Sequence, residues 1–158
     1  MLFRSNVIID RQDVLHPEQS ATNVEFPFVL ENAVDSLTIE WEYWPKVLSD
    51  DDLARRMLND GMEHCVEEQD RAQFPINEFL PLVNLVTLSV DAPDGYRGCA
   101  HRHDPQQKHV LRAEDASPGF DDGEIMAGEW KVVVNVHAVV TEPCNYRLKV
   151  TAEGGECA

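Results

Sequence analysis

Apolar and polar positions alternate over much of this chain, and the two-residue period predicts strands. Leu37, Ile39, Trp41 and Tyr43 fall on one side while Ser36, Thr38, Glu40 and Glu42 fall on the other, and Pro45 closes the run. Val24, Phe26 and Phe28 alternate with Glu25 and Pro27. Pro27 has no N–H to give to a ladder, which predicts an edge position for that strand. From Glu129 onward, Trp130, Val132, Val134, Val136 and Ala138 form one face, with Lys131, Val133, Asn135 and His137 on the other. A closing strand runs from Tyr146 to Thr151, with Tyr146, Leu148 and Val150 inward. Leu82 to Val90 is nearly continuously apolar and suits a central strand. Shorter strands are predicted over 3–10, ending near Asp10–Asp13, over 96–103 and over 108–113.

One segment has a different period. Ser49, Asp50, Asp51 and Asp52 offer a cap and first-turn acids. Leu53, Met57, Leu58, Met62, Cys65 and Val66 then recur at helical spacing, which predicts one amphipathic helix near residues 50–68. Gly61 weakens it, and its Met-bearing stripe is expected to be core, packed over one end or face of a sheet. Turns are marked at Ala92-Pro93-Asp94-Gly95, Ser117-Pro118-Gly119 and Asp121-Asp122-Gly123. Many short strands between Gly/Pro turns, with one helix inserted, predict a mainly β protein: an antiparallel, jelly-roll-like β-sandwich. Residues 1–152 are expected to form a single domain, with a flexible tail over 153–158.

Charge narrows the set of partners. Twenty-nine Asp and Glu against 13 Lys and Arg give a formal net charge of -16. Such a surface repels phosphate backbones and anionic headgroups, so neither nucleic acid nor membrane is an expected partner. The first residues lack an apolar run long enough for a signal peptide, and no stretch approaches a membrane span; the expected location is cytoplasmic. The four cysteines show no CxxC spacing. Cys99 and Cys144 would be neighbours if their strands paired, although a reducing compartment favours free thiols.

Several segments resemble a known accessory domain. They are Gly95-Tyr96-Arg97-Gly98, His101-Arg102, Ala116-Ser117-Pro118-Gly119-Phe120, Gly128-Glu129-Trp130, Val136-His137-Ala138-Val139 and Asn145-Tyr146-Arg147-Leu148. Their order is similar to the amino-terminal β-sandwich that precedes the catalytic module of certain PHP-type (polymerase and histidinol phosphatase) metallohydrolases. Leu37 to Lys46 also resembles an earlier strand of that domain. The resemblance spans about half the chain and rests on turn and core residues. The helix near 50–68 departs from it, and the chain ends where the catalytic module would begin. What the resemblance implies is therefore a β-sandwich fold and an accessory role, with no catalytic residues to carry over.

Candidate chemistry centres on histidine. His101-Arg102-His103 has a His-x-His form, and on a strand both imidazoles would share a face. His109 follows one loop later, His137 lies on another strand, and Cys99 shares parity with His101 and His103. If these converged, they would hold a transition metal such as zinc; otherwise no cofactor is expected. Asp121-Asp122-Gly123-Glu124 lacks the spacing of an EF-hand loop, and no phosphate loop or nucleophile elbow is present. Trp44 has outward parity, and with Arg97 and Arg102 it is a candidate for contacting a small polar or sugar-like ligand. The leading expectation is a non-enzymatic accessory domain acting through a protein partner or self-association. A metal-binding protein or metal-dependent hydrolase built on His101, His103 and His137, and a module for a polar ligand, are the alternatives.

Overall fold

The computed structural model describes residues 4–154. Eight strands are formed: β1 (Ser5–Leu15), β2 (Thr22–Leu30), β3 (Ser36–Trp44), β4 (Leu85–Ala92), β5 (Gly95–Ala100), β6 (Gln106–Arg112), β7 (Gly128–Ala138) and β8 (Cys144–Glu153). They build two four-stranded antiparallel sheets, ordered β1-β8-β3-β6 and β2-β7-β4-β5. Only the β4–β5 hairpin keeps consecutive strands in one sheet; every other connection crosses to the opposite sheet, which is the jelly-roll path. The predicted sandwich is thus the observed fold, and β2, which carries Pro27, is an edge strand as the proline requires.

Alternation fills the space between the sheets. Leu37, Ile39, Trp41 and Tyr43 of β3 are buried with Tyr146, Leu148 and Val150 of β8, facing Trp130, Val132, Val134 and Val136 of β7. Trp41 packs on Tyr146 at 5.3 Å between ring centroids, and Phe26 meets Tyr146 edge-on at 6.2 Å. β1 runs five residues past its expected end because its ladder with β8 continues through Asp13–Tyr146 to Leu15–Cys144. An edge strand needs no apolar pattern on its solvent side. Here Arg147 grips Asp10 with two hydrogen bonds, of 3.1 and 3.0 Å. The tail expected from residue 153 starts inside β8 instead: Glu153 pairs with both Ser5 and Ser36. The rest of that tail, residues 155–158, lies outside the described residues.

The helix, α1 (Asp51–Cys65), is capped as anticipated by Asp50, whose carboxylate accepts from Leu53 N at 2.9 Å. Its packing differs from expectation. Met57, Leu58 and Met62 are only half-buried, and Ala54 alone of α1 is buried. The helix turns back on the segment that follows it rather than on a sheet: Arg71 donates to Glu63 O and Val66 O, and Arg55 to Asn77 Oδ1. The apolar stripe is the inner side of a small excursion between β3 and β4, outside the sandwich core.

Asn84 closes the base of that excursion. Its side-chain amide donates to Pro45 O (2.8 Å) and Thr141 Oγ1 (2.7 Å) and accepts from Val140 N (2.7 Å) and Thr141 N (3.3 Å). All four of its hydrogen-bonding positions are therefore used while the residue is fully buried. Lys46 Nζ adds a 2.6 Å bond to the main-chain carbonyl of Asn84, so three separated segments meet at one residue.

His109 is the other buried polar group of note, at 0% exposure between the sheets and 5.0 Å from the Phe120 ring. Gln107 turns its amide nitrogen to the carbonyls of Arg102 and Asp104, leaving Oε1 to accept from His109 Nε2 at 2.8 Å. That fixes the Nε2–H tautomer and leaves Nδ1 without a partner. Burial, aided by the Arg102 charge, pushes the imidazole down to about 4.

Two outcomes are expected. Asn84→Ala should destabilise the fold by at least about 2 kcal/mol in urea unfolding, because it strands buried N–H groups of Val140 and Thr141. Below its unfolded value near 6.5, His109 takes up a proton in the unfolded chain that the folded chain refuses until about pH 4. Stability should therefore drop as pH falls through that window, by on the order of 3 kcal/mol from this group. A His109→Leu variant should lose that part of the slope when unfolding is measured across it.

Candidate polar cleft on the outer face of the second sheet

The same alternation that packs the core decides what faces out of the second sheet. On β4, Val86, Leu88 and Val90 point inward and Thr87 and Ser89 point outward. On β7, Trp130, Val132, Val134 and Val136 fill the interior while Val133, Asn135 and His137 take the outer side. β5 contributes Cys99, opposite Ser89 in the ladder, and β2 contributes Asn23, opposite Asn135. Thr87, Ser89 and Cys99 are small, whereas Tyr96, His101 and His137 at the margin are large. A short floor within a tall rim leaves an open cleft of about 340 Å³.

Hydrogen bonds order its floor. Thr87 Oγ1 and His137 Nε2 are joined at 2.8 Å, and Asn135 Nδ2 donates to Ser89 Oγ at 3.3 Å. The rings of His101 and His137 stand 5.8 Å apart across the margin. Tyr96 is 60% exposed beside them. Its hydrogen bond with Cys99, followed by burial, pushes the phenol up to about 12, so it is a neutral hydroxyl at ordinary pH. Among the described residues, none lining this cleft is acidic, in a chain with 29 Asp and Glu. The site offers hydroxyls, amides, imidazoles and one aromatic face, and no fixed charge of either sign. A hydroxyl bonded to an imidazole is the first half of a nucleophile–base pair. Thr87 is only 3% exposed, however, so its hydroxyl serves to orient His137.

Of the residues singled out from the sequence, His101 and His137 are brought together and the others are not. β5 ends at Ala100, so His101, Arg102 and His103 lie in a loop and strand alternation does not align them. His103 and Arg102 are exposed there, and neither lines the cleft. His109 belongs to the first sheet and points into the sandwich, whereas His137 points out of the second sheet. The two therefore lie on opposite faces of the second sheet. No set of three potential metal-ligating atoms within 4.8 Å of one another includes any of these four histidines among the described residues. The convergence that a metal site on His101, His103, His109 and His137 would require does not occur. Cys99 and Cys144 sit in different sheets, and both are free thiols; burial pushes Cys144 up to about 11.

Trp44 is exposed at the end of β3, on the outside of the first sheet and away from this cleft. Arg97 is 5% exposed and faces inward. Its guanidinium donates to the carbonyls of Asp121 (3.1 Å), Gly123 (2.9 Å) and Glu124 (3.2 Å) and lies 5.5 Å from the Trp130 ring centre. It is a structural clasp and not a ligand contact. Beside it, Gly98 and Gly119 have positive φ and touch backbone to backbone, with Cys99 N donating to Gly119 O at 2.9 Å; a Cβ on either would collide with the opposite strand. The Gly-Tyr-Arg-Gly, Pro-Gly-Phe and Gly-Glu-Trp segments thus interlock as one piece of architecture that holds β5 in place.

Sequence reasoning missed Tyr96, Asn135, Thr87, Ser89 and Asn23. A signal was present in β4, where Thr87 and Ser89 interrupt Val86, Leu88 and Val90 at every second position. No family model matches the chain, and no curated protein matches it in sequence.

Arg97→Lys should destabilise the protein by about 2–4 kcal/mol, because an ammonium cannot serve three carbonyls spread over a planar fork. Chemical denaturation of the two proteins side by side measures it.

Proposed function

We propose that this protein is a non-catalytic binding module whose ligand is a small, uncharged, hydroxyl-rich molecule held in the cleft of the second sheet. The observation that carries the reading is the composition of that cleft. It has donors and acceptors at Asn23, Ser89 and Asn135, an exposed Tyr96 ring at its edge and no carboxylate among its lining residues, on an otherwise acidic surface. Polar groups in pairs fix the orientation of hydroxyls, and an aromatic face covers the apolar side of a sugar-like ring. An accessory role beside a hydrolase, as the resemblance in the sequence implies, is compatible with a module that captures such a molecule without transforming it.

The test is a titration of isotopically labelled protein with neutral mono- and disaccharides, followed by amide chemical shifts. The expected outcome is saturable movement of the Thr87, Ser89, Tyr96 and Asn135 resonances, with affinity reduced at least about tenfold in Tyr96→Ala and in Asn135→Ala. Shifts that map elsewhere, affinities unchanged in both variants, or no shift with any sugar would overturn it.

A further inference from the structure

We infer that His16, Glu18 and Glu142 form a site for one divalent transition-metal ion of the zinc class. His16 follows the end of β1 and Glu18 lies two residues on, while Glu142 belongs to the connection between β7 and β8, 126 positions from His16. One ligand atom from each residue lies within 4.8 Å of the other two. Donors tetrahedrally bound at about 2.0–2.2 Å stand roughly 3.4 Å apart, so the three side chains need only small rotations to share an ion. His16 Nδ1 and Glu142 Oε1 now meet at 2.6 Å across a proton. Replacing that proton by a metal requires this pair to open by under about 1 Å.

Three features separate this group from an ordinary acidic patch. The first is the imidazole, a nitrogen donor that magnesium and calcium do not favour and that zinc, cobalt and nickel do. The second is that both connections are already fixed. Ser20 Oγ accepts from Val139 N at 3.0 Å, and Gln19 Oε1 accepts from His16 N at 2.8 Å, so the ligands are positioned without ordering a loop. The third is the field at His16. Carboxylate oxygens of Glu18 and Glu142 both lie within 4.8 Å of its ring nitrogen, and the Arg11 guanidinium is engaged with Asp13 at 2.9 Å. All three residues are exposed, so an ion would keep water in its remaining position and would tie the β1–β2 connection to the β7–β8 connection.

Calorimetric titration of the untagged, chelator-stripped full chain with Zn²⁺, Mg²⁺ and Ca²⁺ tests the site. One Zn²⁺ per chain should bind, with Mg²⁺ and Ca²⁺ far weaker, and Zn²⁺ should raise the thermal midpoint through linkage. Affinity should fall at least about tenfold in His16→Ala and in Glu142→Gln and stay unchanged in His137→Ala. Because these side chains are exposed, the variants should fold, and circular dichroism checks that they do. No zinc binding, or binding that survives His16→Ala and disappears in His137→Ala, would overturn the assignment.

Discussion

β7 couples the interior of this protein to its surface. Trp130, Val132, Val134 and Val136 occupy every second position and fill the space between the sheets. A strand offers its remaining positions to the other side, so Asn135 and His137 must face outward once the valines are buried. A one-residue slip against β2 or β4 would bury those polar groups and expose the core, which is why the register is tightly specified. The cleft depends on that register. Asn23 meets Asn135 and Thr87 meets Asn135 across the ladders, and His137 reaches back to Thr87.

A second level of organisation comes from buried polar groups that serve backbone. Arg97 satisfies three carbonyls of the 121–124 turn with no carboxylate partner among the described residues, and Asn84 satisfies four groups from two connections. Both stand where the jelly-roll path leaves regular ladders, and there backbone groups would otherwise be buried without partners. Together they hold the loops to the sandwich. β5 is short, but Arg97 and the Gly98–Gly119 contact keep it against the 116–125 segment, and Cys99 and Tyr96 keep their places at the cleft.

Surface charge is distributed rather than concentrated. Arg147 pairs with Asp10, Lys149 with Glu40, and Lys131 with both Glu25 and Asp91. These exposed pairs add little stability each. They do absorb basic side chains on the sheet faces, and the net charge is left to the remaining acids. Among the described residues, no helix is long and apolar enough to cross a membrane.

The sequence by itself determined the sandwich. Its strands carry a period of two, and an inward row such as Leu37, Ile39, Trp41 and Tyr43 can be satisfied only by a second apolar face. The helix and its Asp50 cap were legible for the same local reason. Which histidines meet was not legible, because it depends on sheet assignment and on which side of a sheet each one faces. His109 and His137 differ in both, and His101 left its strand one residue too early for parity to place it. The destination of α1 was equally hidden: an apolar stripe states that a partner exists, not whether it is the core or the next turn of chain. His16 and Glu142 are joined only after two distant connections have been laid side by side. Local pattern reports what a residue needs, and only the tertiary path decides which neighbour supplies it.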